Sequence, residues 1–219
     1  MKKQSGFTLV EIAIVLVIIG LLLGGVLKGQ ELINSAKVKN FAQDFRQVPL
    51  FIYGYQDKYK ALPGDDSSVT GLAAGRFGTS GTPCTPAAAS HCATGTGSIE
   101  GLYNATTVAD ESFVFWQHVR LAGLAAGSTT TTDTTYIPKN ADGGTIGIQS
   151  AVPITGMTGS YFVCSDGIQG KFATQLDTTM DDGNTATGSM RVAANISTPA
   201  PIATASIVEG TTYMVCLAL

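Results

Sequence analysis

The chain has 219 residues, a formal net charge of −3, and only 13% charged residues. A weakly charged and mildly acidic chain lacks the basic surface that nucleic-acid binding requires, so we expect no nucleic-acid partner. Its length is enough for one globular domain and an additional segment outside that domain. Its many Gly, Ala, Ser and Thr residues favour a secreted domain with a neutral surface over a cytosolic enzyme.

The N-terminal part is dominated by an apolar run over residues 6–27, which carries a single charged residue, Glu11. About 21 residues of this run precede Lys28, and at 1.5 Å per helical residue they cross a hydrocarbon core of roughly 30 Å. Lys2 and Lys3 lie ahead of it, which predicts that the N-terminus stays in the cytoplasm and the rest of the chain lies outside. No small-residue cleavage site follows the run, so we expect it to be retained.

A short motif opens this run, because the basic leader ends at Gly6 and the letters FTLVE follow as residues 7–11. The motif resembles the G-F-T-L-x-E signal of type IV prepilins, and the chain is therefore similar to type IV pilins and to the pseudopilins of type II secretion. The resemblance is close over residues 1–39 and extends to the rest only by architecture. It implies that a prepilin peptidase cleaves between Gly6 and Phe7 and methylates the new amino group of Phe7.

Glu11 is the one ionisable residue within the predicted span. A carboxylate in the centre of a bilayer costs about 2.5–3.5 kcal/mol on insertion scales, so it requires a partner. The resemblance implies that this partner is the freed Phe7 amine of a neighbouring subunit, which gives Glu11 a role in assembly. The alternative is a Glu near the membrane edge that extends to the interface or stays protonated.

Beyond the span the chain predicts an amphipathic helix that ends near Lys60, where residues 61–66 combine turn and stop signals. We therefore expect a stalk helix over residues 7–60, with its transmembrane part at 7–27, and a head over residues 61–219. A head folded onto the apolar stripe is the favoured arrangement, and packing of partner helices is the alternative. Pro49 predicts a kink or a local break. The stripe consists of Val38, Phe41, Phe45, Val48, Ile52, Tyr55 and Tyr59.

Residues 61–109 are rich in loop-forming residues, and within them Cys84 and Cys92 enclose a short segment. His91 beside Cys92 raises the alternative of a metal site, but few further ligands lie at a workable spacing. A non-cytosolic location favours a disulfide between the two cysteines.

A second, shorter helix is predicted from the N-cap Asp110 towards Gly127. The only tryptophan, Trp116, is expected on its buried face rather than as a binding platform. His118 has no nucleophile or carboxylate partner at a suitable spacing, so we assign it no catalytic role and expect no enzyme activity.

Short apolar segments separated by Gly, Asp, Asn and Pro predict an antiparallel sheet in the C-terminal half. The expected strands are residues 145–148, 161–164, 170–173, 189–192 and 211–217.

A polar segment over residues 176–191 contains strong turn signals and several oxygen ligands, namely Asp177, Asp181, Asp182 and Asn184. Some pseudopilins bind calcium in a loop between strands, so the resemblance raises a calcium site here. The spacing differs from that of an EF-hand, and a plain turn is the favoured interpretation. We expect no other cofactor.

Four cysteines in a chain outside the cytosol predict two disulfides, and three connectivities are open. In pilins a disulfide near the C-terminus encloses a variable region. By that resemblance Cys164 pairs with Cys216, the residue near the C-terminus, and Cys84 then pairs with Cys92.

Together these features predict an α+β, pilin-like subunit with a long N-terminal helix, an antiparallel sheet and a second short helix. The first hypothesis is a major or minor type IV pilin that polymerises with itself and other pilins after processing by prepilin peptidase at an inner-membrane assembly platform. The second is a pseudopilin that drives protein export. A membrane-tethered periplasmic binding protein or hydrolase is a third class, which no catalytic motif supports. The expected location is the inner membrane with the head in the periplasm, followed by a surface pilus or a periplasmic pseudopilus.

Overall fold

One long helix, α1 (Leu9–Tyr59), forms the N-terminal part of the molecule. The structure is a computed structural model that describes residues 8–69, 75–82, 95–195 and 199–219. Thr8 caps the helix, because its Oγ1 accepts a hydrogen bond from the N–H of Glu11 and the Glu11 carboxylate accepts one from the N–H of Thr8. The helix ends at Lys60, which has a left-handed backbone with φ 55°. It continues through Pro49 without a break.

The two halves of α1 differ in what covers them. Its membrane-side half, up to Leu27, is exposed along its whole length. In the second half the head covers the predicted apolar stripe, with Tyr59 half-buried and the other six residues buried. The head therefore folds onto the stalk helix as predicted, and partner helices are not needed to cover the stripe.

The sheet has four antiparallel strands in the order β1-β2-β4-β3. They are β1 (Ile146–Gln149), β2 (Phe162–Gln169), β3 (Met190–Ala193) and β4 (Thr212–Ala218). One face, with Val163, Val192 and Val215, joins the core formed with the helices. The other face carries Cys164 and Cys216 in a smaller apolar cluster under the loop that contains Ile154 and Met157. The predicted antiparallel sheet is confirmed.

The strand predicted over residues 170–173 is wrong, because these residues begin a helix, α3 (Gly170–Met180). Phe172 and Leu176 are buried and lie four residues apart, which is helical spacing. The ring of Phe172 packs against Phe41 of α1 at 6.0 Å between centroids. A four-residue apolar segment does not distinguish a strand from a helix, and the packing on α1 decides the outcome.

The second predicted helix is α2 (Glu111–Leu121), which follows Asp110 as expected but ends before Gly127. It stops where Gly123 takes a left-handed backbone with φ 77°. Arg120 then organises the following loop by donating hydrogen bonds to the carbonyls of Ala126, Ser128 and Tyr136. Single 3₁₀ turns at Gly78–Ser80 and Thr204–Ser206 complete the described elements.

Candidate functional site

The predicted processing site, Gly6 and Phe7, lies outside the described residues, and Glu11 lies in the first turn of α1. The Glu11 carboxylate accepts hydrogen bonds from the N–H and the Oγ1 of Thr8, both at 2.8 Å. Among the described residues no basic side chain pairs with it. Glu11 is thus held by local capping in the first turn of α1.

The membrane-side half of α1 fits a bilayer span by length and composition. In the described part of the chain, α1 is the one helix that is long and apolar enough to cross a membrane. Its most apolar stretch is buried against nothing in the molecule. Lys28 and Glu31 form an exposed ion pair at 2.7 Å directly beyond this stretch, where charged side chains reach water.

A group of three acidic residues lies where α3 ends and the chain turns towards β3. Carboxylate oxygens of Asp177, Asp181 and Asp182 all lie within 4.8 Å of one another. Asp181 Oδ2 accepts from the N–H of Met190 at 2.7 Å, which fixes it at the start of β3. Asp182 accepts from the Oγ1 of Thr187 at 2.9 Å. The carbonyl end of a helix also favours a cation at this place.

Asp177 is the unusual member of this group, because it is fully buried and neither of its side-chain oxygens has a hydrogen-bond partner. Burial, followed by the neighbouring carboxylates of Asp182 and Asp181, raises the pKa of Asp177 to about 6, with the nearby N–H of Gly183 partly offsetting the rise. A divalent cation between the three carboxylates would remove both the repulsion and the unmet polar atoms.

The fourth predicted ligand serves the turn. The side-chain oxygen of Asn184 accepts from the N–H of Ala186 at 3.2 Å, while its own N–H donates to Asp182 Oδ1 at 2.8 Å. Such side-chain to backbone bonds are typical of Asx turns. Sequence reasoning named all four residues but placed them in one loop, whereas Asp177 belongs to α3.

A disulfide joins Cys164 of β2 to Cys216 of β4 in the middle of the sheet. Both residues are fully buried. Because β4 is the last strand, the bond fixes the C-terminal end of the chain in the sheet. Cys84, Cys92 and the neighbouring His91 lie outside the described residues, so their disulfide stays a prediction.

His118 has a structural environment. It is fully buried, its Nδ1 accepts from the N–H of Gly64 at 2.9 Å, and its Nε2 therefore donates to the carbonyl of Thr82 at 3.1 Å. Burial lowers its pKa to about 4, so the ring is neutral. Both ring nitrogens are used to hold two loop segments against α2.

Sequence reasoning missed one buried polar network that joins the end of the stalk to the head. Asp66 accepts from the hydroxyl of Tyr55 on α1 at 2.8 Å and from Arg76 Nε at 2.6 Å. It lies beside a cleft of about 710 Å³ between the end of α1 and Tyr161. Because Asp66 and Arg76 pair with each other, the cleft offers no free charge from this pair. In the sequence Asp66 is indistinguishable from an ordinary turn residue.

Comparison with family models places a match at the N-terminus only. Residues 1–27 match the model described as the prokaryotic N-terminal methylation motif, which is the signal of type IV pilins and pseudopilins. This confirms the resemblance carried by residues 6–11. Comparisons with curated proteins and with solved structures find no match. The chain thus carries the N-terminal signal of a pilin-like or pseudopilin-like subunit. The matched residues do not include the head, so conclusions about the head depend on the structure alone.

Proposed function

We propose that this chain is a structural subunit, major or minor, of a type IV pilus. The observation that carries the proposal is the methylation motif, which leads directly into a helix with an uncovered apolar half and a head-bearing second half. Before assembly such a chain resides in the inner membrane with its head in the periplasm. On assembly its apolar span becomes part of the core of a filament. Prepilin peptidase, an inner-membrane assembly platform and other pilin copies are its partners.

A pseudopilin of a type II secretion system is the second candidate. The group of Asp177, Asp181 and Asp182 favours it, since some pseudopilins bind calcium. The two differ in where the polymer ends, because pili are external and pseudopili stay in the envelope. A periplasmic binding protein has less support, because the charged pair Asp66 and Arg76 at the edge of the 710 Å³ cleft is already internally satisfied.

Shearing of cells, followed by pelleting of the filaments and sequencing of the N-terminal peptide by mass spectrometry, tests the proposal. We expect this chain in the sheared fraction, beginning at methylated Phe7. Processed chain that remains entirely in the cell envelope favours the pseudopilin, and an intact Met1 contradicts both candidates.

Replacement of Glu11 by Gln is expected to leave cleavage intact and to lower filament yield by at least about tenfold, since the charge that attracts the neighbouring Phe7 amine is lost. Glu31→Gln is the matched control, because Glu31 belongs to an exposed ion pair beyond the span and such pairs contribute little. Both variants are assayed by sheared-filament yield and by the N-terminal peptide. Normal filament yield in Glu11→Gln contradicts the assembly role.

We further propose that Asp177, Asp181 and Asp182 bind one calcium ion. The support is the fully buried, unpaired carboxylate of Asp177 next to two others at the carbonyl end of α3. Waters and nearby backbone carbonyls would complete the oxygen ligands that Ca²⁺ prefers. The ion would join the end of α3 to the start of β3, where Asp181 is already fixed.

Calcium at about 5 mM is expected to raise the melting temperature of the metal-stripped protein by roughly 2–8 °C, which corresponds to about 1–2 kcal/mol of linkage at an affinity typical of extracellular modules. Asp177→Asn should abolish this shift, whereas the exposed turn residue Asp133, changed to Asn, should keep it. Because the pKa of Asp177 is raised on folding, the calcium-free protein loses stability as pH rises from about 4 to 6, and Asp177→Asn should reduce that loss. An equal calcium shift in Asp177→Asn contradicts the site.

A further inference from the structure

A small cleft lies between the second half of α1 and the chain that leads from α2 to β1. Its volume is about 190 Å³. Pockets for drug-sized ligands begin at about 300 Å³, so this cleft suits a ligand about as large as a single amino acid. We call it the Asp44 cleft, and its walls include Asp44, Val48, Phe51, Arg120, Lys139 and Ile146.

Asp44 brings a negative charge that the molecule itself leaves without a partner. Its side chain is half-buried, and in the described part of the chain it accepts no hydrogen bond and joins none of the ion pairs. Burial raises its pKa to about 6, so the carboxylate is still mostly ionised at neutral pH. A charge that is partly removed from water and has no partner is costly, which favours a cation in the cleft.

Two cationic side chains line the same cleft, and neither forms an ion pair with Asp44. The Arg120 guanidinium donates from Nε and Nη1 to three backbone carbonyls, whereas its Nη2 donates to no described group. Lys139 is exposed and donates to the hydroxyl of Thr145 at 3.1 Å. An anionic group in the cleft would therefore meet two positively charged donors.

The rest of the cleft wall is largely apolar. Val48 and Phe51 contribute to it from α1, and Ile146 contributes from β1. Phe51 also contacts Trp116 edge-to-face, with 6.5 Å between the ring centroids, which holds its ring in place. The cleft thus combines one carboxylate, two cations and an apolar wall, and these three features match the three parts of an aliphatic α-amino acid.

We propose that the Asp44 cleft binds a free α-amino acid with an aliphatic side chain. The ammonium group of the ligand pairs with Asp44, its carboxylate pairs with Lys139 and Arg120 Nη2, and its side chain lies on the apolar wall. A zwitterion meets both signs of charge at once, which neither a simple amine nor a simple carboxylate does. This function goes beyond filament assembly and does not depend on it, because the cleft belongs to the head and to the half of α1 that bears it.

A ligand-observed NMR titration of the full chain in a deuterated nonionic detergent tests the proposal, with L-leucine as the probe. We expect a dissociation constant of about 1 mM or lower. Two analogues of similar shape separate the charged contacts, since isoamylamine lacks the carboxylate and 4-methylpentanoate lacks the ammonium group. Each analogue should bind at least about tenfold more weakly than L-leucine, because one charge-assisted contact is lost.

Substitutions locate the binding in the cleft. Asp44→Asn is expected to weaken binding of L-leucine at least about tenfold. Asp57→Asn is the matched control, because Asp57 is an exposed carboxylate on the same helix that does not line the cleft, and it should bind within about twofold of the unaltered chain. Lys139→Met changes an exposed side chain and provides a second variant should Asp44→Asn not fold, with an expected loss of at least about fivefold.

Three results overturn the inference. They are no binding of L-leucine by the unaltered chain, binding of either analogue as tight as that of L-leucine, and unchanged binding in the folded Asp44→Asn or Lys139→Met variant. Because the titration uses the chain before assembly, its failure leaves the proposed function unaffected, which is tested on sheared filaments.

Discussion

Removal of the Cys164–Cys216 disulfide, by changing both residues to Ala, is expected to lower the free energy of unfolding by about 4 kcal/mol. The two residues are 52 positions apart. In the chain-entropy model, cross-linking a loop of that length lowers the entropy of the unfolded chain and so stabilises the folded state by about 4 kcal/mol. Both cysteines are fully buried at the centre of the sheet, so small cavities add to the loss. Urea unfolding of the detergent-solubilised full chain measures the difference.

The same variant tests the pairing predicted for Cys84 and Cys92. If those two residues pair with each other, their thiols stay protected from alkylation in the Cys164→Ala, Cys216→Ala variant. A double Cys84→Ala, Cys92→Ala variant should cost less, about 2–3 kcal/mol, because its loop is much shorter. Newly reactive thiols at Cys84 or Cys92 in the first variant contradict the predicted pairs.

The long helix was the most predictable element, for a physical reason. α1 extends over 51 residues. A continuous apolar run marks its first half, and apolar residues repeat at helical spacing over several turns of its second half. The stripe even identified which side of the helix the head covers. The sheet was predictable in a similar way, because turn residues separate its apolar strands.

α3 was missed because a short apolar segment is compatible with a strand as well as with a helix. The segment at residues 170–173 offers one apolar pair, and only its contact with Phe41 on α1, distant in the sequence, selects a helix. The consequence for the candidate site is direct. Asp177 became a helical residue that packing buries without a hydrogen-bond partner, whereas the sequence presented it as one of several turn carboxylates.

The hydrogen-bond network around Asp66 was also missed, because it depends on contacts between separate parts of the chain. Its carboxylate binds Tyr55 from the stalk and Arg76 from a loop, and neither distance in sequence nor residue type predicts that convergence. Sequence patterns describe which face of an element is buried, but they do not specify which polar groups meet across the core. Buried polar contacts such as this one are set by the final packing.

Replacement of Phe41 by Ala is expected to lower the free energy of unfolding by about 3–5 kcal/mol, since a fully buried aromatic side chain and its contact with Phe172 are both lost. The effect should be greatest where α3 rests on α1. Hydrogen exchange of α3 in the detergent-solubilised full chain should therefore accelerate more than exchange in the sheet.

Tyr53→Ala on the same helix is the matched control, because it also removes an aromatic ring but at a position that is 61% exposed and lies outside the buried core. In the monomer its cost should stay within about 0.5 kcal/mol, as for ordinary surface changes. Equal losses for the two variants would mean that the head does not depend on the buried stripe. A large loss for Phe41 alone ties the head to one side of α1.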